Sequence, residues 1–212
     1  MRNIEIRRLG LMPYADALAL QRSLVEERRV GTIGDQLLFV EHPHVLTLGV
    51  RGDGGRGHIL ATPEVLAARG VAVYETGRGG DVTYHGPGQI VGYPIVDLNP
   101  DRRDVHRYVR DLEEVLILTA ADYGIRAERV AGLTGVWVGR EKLAAIGVRI
   151  ARWITSHGFA FNVTTDMEYF DLIVPCGIAD RGVTSLSRLL GRDVQRADVE
   201  DRIASHFRQA FA

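Results

Sequence analysis

Lysine and cysteine are nearly missing from this chain: Lys142 and Cys176 are the single occurrence of each. Of 26 lysine-plus-arginine residues, every one but Lys142 is arginine. One cysteine excludes an internal disulfide and any all-cysteine metal site. Long apolar runs are absent too. No segment is long enough to span a bilayer, and the start, Met1-Arg2-Asn3-Ile4-Glu5-Ile6-Arg7-Arg8, lacks the apolar stretch of a secretory signal, so no membrane association and a cytoplasmic location are expected. Nor is there an excess of one charge. A formal net charge of -1 and a pI of about 6.7 argue against a nucleic-acid partner. What remains is 212 residues, 46% hydrophobic and 25% charged, the composition of a globular protein whose residues 1–212 form a single domain.

The two rarities have chemical meaning. Arginine substitutes well for lysine as a surface charge, but its guanidinium stays protonated, whereas an ammonium can be tuned to release a proton. Lys142 is therefore either a group retained for proton exchange or one exposed lysine that escaped a drift towards arginine, and composition leaves both open. Cys176 sits in Leu172-Ile173-Val174-Pro175-Cys176-Gly177-Ile178, an apolar run broken by a φ-locked proline and a permissive glycine. Such a bend can present one side chain at the end of a strand; judged by itself, a small buried hydrophobe is the commoner use of a free cysteine.

Periodicity predicts strands at residues 4–9, 36–41, 45–48, 71–75, 81–85, 89–96 and 158–163, and a hairpin of 135–138 and 142–150 turning at Gly139-Arg140-Glu141. Helices are expected over 13–29, from Thr62-Pro63 to a stop at Gly70, over 104–123 with a stop at Gly124, and over 185–190 and 198–211. The five glycines of residues 49–57 predict an open loop. Consecutive strands with few helices between them point to an α+β fold, a mixed β-sheet with packed helices.

Residues 76–89, Thr-Gly-Arg-Gly-Gly-Asp-Val-Thr-Tyr-His-Gly-Pro-Gly-Gln, form the most unusual stretch. A strand rather than a helix follows the glycines, which excludes a dinucleotide fingerprint, and a P-loop would need a lysine here. Glycines let a ligand approach the backbone closely, and a tight hairpin would not call for Arg78, Tyr84 and His85 as well, so a binding segment is favoured. His42-Pro43-His44 lacks a matching set of ligands and reads as a loop; no metal site is expected. Ser156-His157 has no nucleophile elbow and reads as the approach to a strand. Asp180 and Arg181 read as turn residues.

These pieces occur in a familiar order. Residues 78–94, from Arg78-Gly79-Gly80-Asp81-Val82-Thr83-Tyr84-His85 to Gly92-Tyr93-Pro94, closely resemble the signature of the octanoyltransferase family. Lys142-Leu143-Ala144-Ala145-Ile146-Gly147-Val148-Arg149, His157-Gly158-Phe159-Ala160-Phe161-Asn162-Val163, the Pro175-Cys176-Gly177 block and Val183-Thr184-Ser185-Leu186 fit as well. The resemblance runs from Glu41-His42-Pro43 to Leu186. It implies the fold shared by biotin- and lipoate-protein ligases. It also implies transfer of an octanoyl or lipoyl group, in lipoate biosynthesis, from octanoyl-acyl carrier protein to a lysine of the lipoyl domains of 2-oxoacid dehydrogenase complexes or of glycine-cleavage H protein. By the same resemblance Cys176 is the acylated nucleophile, forming an acyl-thioester, and Lys142 its proton partner. Arg78, Gly79, Gly80, Asp81, Val82, Thr83, Tyr84 and His85, with Ala145, Ile146, Gly147, Gly158, Phe159 and Ala160, would line the acyl site. No cofactor is implied, because thioester-to-amide transfer runs downhill. Two competing readings are an ATP-dependent ligase of the same fold, with Cys176 incidental, and a non-catalytic carrier-binding protein. Arg51, Arg56, Arg149 and Arg152 are the candidates for docking an acidic carrier.

Overall fold

The computed structural model describes residues 3–51, 55–175 and 181–211. A mixed sheet forms its centre, built from β1 (Ile4–Leu11), β2 (Asp35–Glu41), β6 (Gln89–Ile95), β7 (Glu128–Val130), β8 (Leu133–Val138), β9 (Glu141–Ala151), β10 (Ile154–Asn162) and β11 (Gly182–Val183). The order is β1-β2-β6-β10-β9-β8-β7, with β11 added beside β9. β1 runs parallel to β2 and β11 parallel to β9, while the other neighbours are antiparallel. A second, three-stranded sheet pairs β3 (Val45–Leu48) with β4 (Ala72–Glu75) and β5 (Thr83–His85). The architecture is the expected α+β mixed sheet with packed helices.

Helices cover both faces of the large sheet, which is why its central strands read as nearly continuous apolar runs. On β10, Phe159 and Phe161 join the core formed with α3 (Val105–Ala121) and α5 (Arg196–Phe211), whereas Ala160 between them joins the core under α1 (Tyr14–Arg29). Leu37 and Phe39 of β2 face the first core, and Leu38 and Val40 the second. Leu46, Leu48, Val82 and Tyr84 of the small sheet pack on Phe170 and Leu172, from a 3-10 segment, Met167–Leu172, that carries no periodic signal.

Helix starts fall where the capping residues sit. Thr62 caps α2 (Pro63–Ala68), Asp104 caps α3 and Ser185 caps α4 (Leu186–Leu190), each side chain accepting a backbone N–H three residues on. One turn departs from expectation. β10 begins at Ile154 rather than Gly158, so Ser156 and His157 lie inside the strand. The β9–β10 hairpin turns through Arg152 and Trp153 at φ of 52° and 68°, a left-handed geometry that glycine or asparagine ordinarily signals. Neither residue marks it in the sequence.

Glu113 of α3 is fully buried and ties the β7–β8 hairpin to that helix. Its carboxylate accepts from Arg110 Nη1 (2.6 Å), Arg129 Nε (3.1 Å) and the backbone N–H of Gly135 (3.1 Å). Among the described residues no helix is long and apolar enough to cross a membrane.

Candidate active site

Lys142 is the second residue of β9, paired with Trp137 of β8 on one side and Val183 of β11 on the other. It is only 5% exposed, which disposes of the surface-charge reading. Its Nζ lies 4.7 Å from the centre of the Trp137 ring, and the Arg181 guanidinium lies 5.2 Å from the same ring. An indole face attracts a cation through the ring's quadrupole. Cys176 lies outside the described residues. Pro175, immediately before it, lines a small cleft with Lys142, Ala145, Asn162 and Val183. On the other side of this cleft, the N–H groups of Gly182 and Thr184 bond to the Arg140 and Lys142 carbonyls at 3.2 Å and 3.0 Å.

Beside Lys142 opens a cavity of about 430 Å³. Of the residues expected at the acyl site, Arg78, Gly79, Gly80, Asp81, Thr83, His85, Ala145, Ile146, Gly147, Gly158, Phe159 and Ala160 line it. Val82 and Tyr84 do not, because strand alternation turns them into the core of the small sheet. Tyr14, Val91, Tyr93, Val105, Val109, Leu133, Val148 and His157 also line it, as does Arg51, one of the arginines considered for docking a carrier. Tyr14 and Val105 stand at helix starts far away in sequence, and nothing local marks them for this role.

The Arg78 loop is fastened to both sheets. Arg78 is buried and donates from Nη2 to the carbonyl and hydroxyl oxygens of Thr47, at 2.5 Å and 2.9 Å. Gly79 N–H donates to the Val148 carbonyl at 2.8 Å. The loop therefore lies directly on β9, and a Cβ at Gly147 would come within 2.9 Å of the Gly79 oxygen and 3.2 Å of Arg78 Cδ. Asp81 accepts from its neighbour's N–H at 2.6 Å and faces His58 Nδ1 at 3.0 Å.

The cavity's histidines are held neutral. Burial, followed by His42, pushes His85 down to about 3, and burial together with Arg78 and Arg149 pushes His157 down to about 4. Burial lifts Tyr14, which stacks on His85, to about 12. Facing an amide oxygen, His85 Nδ1–H donates to Gln89 Oε1 at 2.7 Å; Gln89 Nε2 donates to Asn162 Oδ1 at 2.9 Å, and Asn162 Nδ2 to the Thr184 carbonyl at 3.0 Å. With the Thr184–Lys142 bond, this buried polar ladder links the cavity wall to the lysine strand. His42 and His44 do not act together: His42 bonds the Met12 carbonyl and Tyr93 hydroxyl at 2.7 Å each, and His44 bonds the Tyr84 hydroxyl at 2.8 Å.

A family model described as the lipoyl protein ligase A/B catalytic domain matches residues 13–208. An octanoyltransferase of Solibacter usitatus (strain Ellin6076) is 52% identical over 211 residues, covering 100% of this chain and 94% of the relative. One from Rubrobacter xylanophilus is 52% identical over 210 residues, covering 98% and 94%. The chain belongs to the octanoyltransferase family.

Membership makes it an acyltransferase. Octanoyltransferase-family sequence is here joined to a ligase fold. A lipoate-protein ligase A bound with ATP matches with a TM-score of 0.73 at 15% identity, covering 100% of this chain and 86% of that one. A biotin protein ligase from Aquifex aeolicus in complex with biotin and ATP matches at 0.57 and 12%, covering 99% and 70%. At such identities the likeness shows the fold, which is that of the biotin and lipoate ligases.

Proposed function

We propose that this chain moves an octanoyl group from acyl carrier protein to the acceptor lysine of a lipoyl domain by way of a thioester on Cys176. The observation that carries this reading is a buried lysine, beside an indole ring, at the edge of a cavity of about 430 Å³ walled by Ile146, Phe159, Val105 and Val109. That volume suits a small apolar ligand. Pro175, which precedes Cys176 in the sequence, shares a small cleft with Lys142, which supports pairing the cysteine with the lysine. Octanoyltransferase relatives support the acyl group, and a Thermoplasma acidophilum lipoate protein ligase described together with its E2 lipoyl domain supports the acceptor.

In the proposed first half-reaction the Cys176 thiolate attacks the carbonyl carbon of the donor thioester. A neighbouring ammonium lowers a thiol's pKa by more than about a unit, keeping it ionised. The tetrahedral oxyanion collapses, the bond to the phosphopantetheine sulfur breaks, and Lys142 gives that departing thiolate its proton. The second half-reaction begins with Lys142 neutral. The acceptor amine attacks the acyl-Cys176 carbonyl and passes a proton to Lys142, and the C–S bond breaks to leave an amide and the thiolate. Lysine alternates between these states and arginine does not. The cycle needs no ATP, unlike that of a ligase.

Intact-mass measurement tests the intermediate. Incubation with octanoyl carrier, without acceptor, should add one hydroxylamine-labile octanoyl group to the wild type and none to Cys176→Ser. Acyl transfer by a wild-type protein that never carries this adduct defeats the covalent route.

A further inference from the structure

A second cavity, of about 280 Å³, lies between α1 and the far ends of β9 and β10, and His157 lines both it and the acyl cavity. Its walls include Gln21, Arg22, Arg149, Thr76, Gly77 and Ser156. None of these belongs to the acyl site expected from the sequence.

Three features give this cavity the character of an anion site. Neither Arg22 nor Arg149 has a carboxylate within ion-pair distance among the described residues. The one carboxylate in the wall, Glu75, is paired with Arg56. Arg149 is seated by the loop: a Cβ on Gly77 would fall 2.5 Å from its Nη1, so only the bare backbone lets the guanidinium approach this closely. Gln21 is 1% exposed; its Oε1 accepts the His157 N–H at 2.7 Å, and its Nε2 has no hydrogen-bond partner. A buried N–H donor left unpaired costs its full desolvation, and a turn of the Gln21 amide towards an oxyanion beside the two arginines would satisfy it.

We infer that this cavity binds the phosphodiester of the donor carrier's phosphopantetheine arm, with Arg22, Arg149 and the Gln21 amide as donors. The inference rests on the proposed carrier donor. Its geometry comes from β9 itself. Lys142 and Arg149 stand on one strand seven residue steps apart, roughly 23 Å at 3.3 Å per step. An extended phosphopantetheine arm is shorter than this Cα separation, and the reach of the Arg149 and Lys142 side chains supplies the remainder. The neutral His157 between the cavities adds no competing charge to the route.

Calorimetric titration with 4′-phosphopantetheine and with pantetheine, which differ only in the phosphate, tests the site. The wild type should bind the phosphorylated compound about tenfold more tightly or better, and the preference should shrink with added salt. Arg22→Gln with Arg149→Gln should bring the two affinities level. Arg152→Gln, in the neighbouring turn and outside the cavity wall, should preserve the preference. Equal affinities in the wild type, or equal loss from Arg152→Gln, overturn the site. Octanoyl transfer from carrier is measured alongside. A phosphate preference without any transfer upholds the site and sinks the donor reading, and transfer without the preference does the reverse.

Discussion

Gly147→Ala probes how the Arg78 loop and β9 form the acyl cavity together. The added methyl group would sit 2.9 Å from the Gly79 carbonyl oxygen and 3.2 Å from Arg78 Cδ, both closer than ordinary van der Waals contact. The strand cannot retreat, because Gly147 is paired with Gly158 in the middle of the β9–β10 ladder. The loop must therefore lift by a few tenths of an ångström. Lifting strains the 2.8 Å bond from Gly79 N–H to the Val148 carbonyl and the Arg78 bonds to Thr47. Overpacking of this kind costs about 1–3 kcal/mol. A chain of this size loses roughly 2–4 °C of melting temperature per kcal/mol, so a fall of about 2–12 °C is expected in a thermal melt. Octanoyl transfer should weaken mainly through a higher KM, because the methyl group intrudes on the cavity wall and leaves Lys142 untouched. An unchanged melt together with unchanged KM would refute the close seating of loop on strand.

Lys142→Arg should leave Cys176 reactive towards an alkylating agent while lowering kcat about 100- to 10,000-fold, and normal turnover would confine Lys142 to a purely electrostatic role. Ile146 and Phe159 face each other across β9 and β10 in the cavity wall, so transfer rate should peak near C8 to C10 donors, and a flat profile from C4 to C16 would exclude a closed slot. The buried histidines set an acid limb. An unfolded histidine takes up its proton near 6.5, whereas His157 resists to about 4 and His85 to about 3, so stability should be whole above 6.5 and fall as pH drops towards those values, by up to about 1.4 kcal/mol per pH unit for each. Denaturant titrations of wild type and His85→Gln should show a shallower limb in the variant, and identical limbs would mean His85 is not held neutral.

The sequence alone carried the elements and the chemistry-bearing residue types. Alternating apolar runs, the Thr62, Asp104 and Ser185 caps and the Gly139 turn are local signals, each produced by a handful of neighbouring residues. The scarcity of lysine and cysteine picked out Lys142 and Cys176 for the same reason: a residue type names its chemistry wherever it sits. Tertiary structure decided what depends on distance. Strand alternation sent Val82 and Tyr84 into the small sheet's core while Thr83 and His85 faced the cavity. Tyr14, from a helix start, and Val105, from another, became cavity wall only because tertiary packing brings both helix starts to the same cavity. The Arg152–Trp153 turn stayed hidden because strand pairing on both sides imposes a left-handed geometry that neither residue prefers. Arg22 and Arg149, from a helix and a strand far apart in the chain, share one cavity for the same reason. Packing of α1 against β10, the neighbour of β9, creates that proximity, and no spacing in the sequence encodes it.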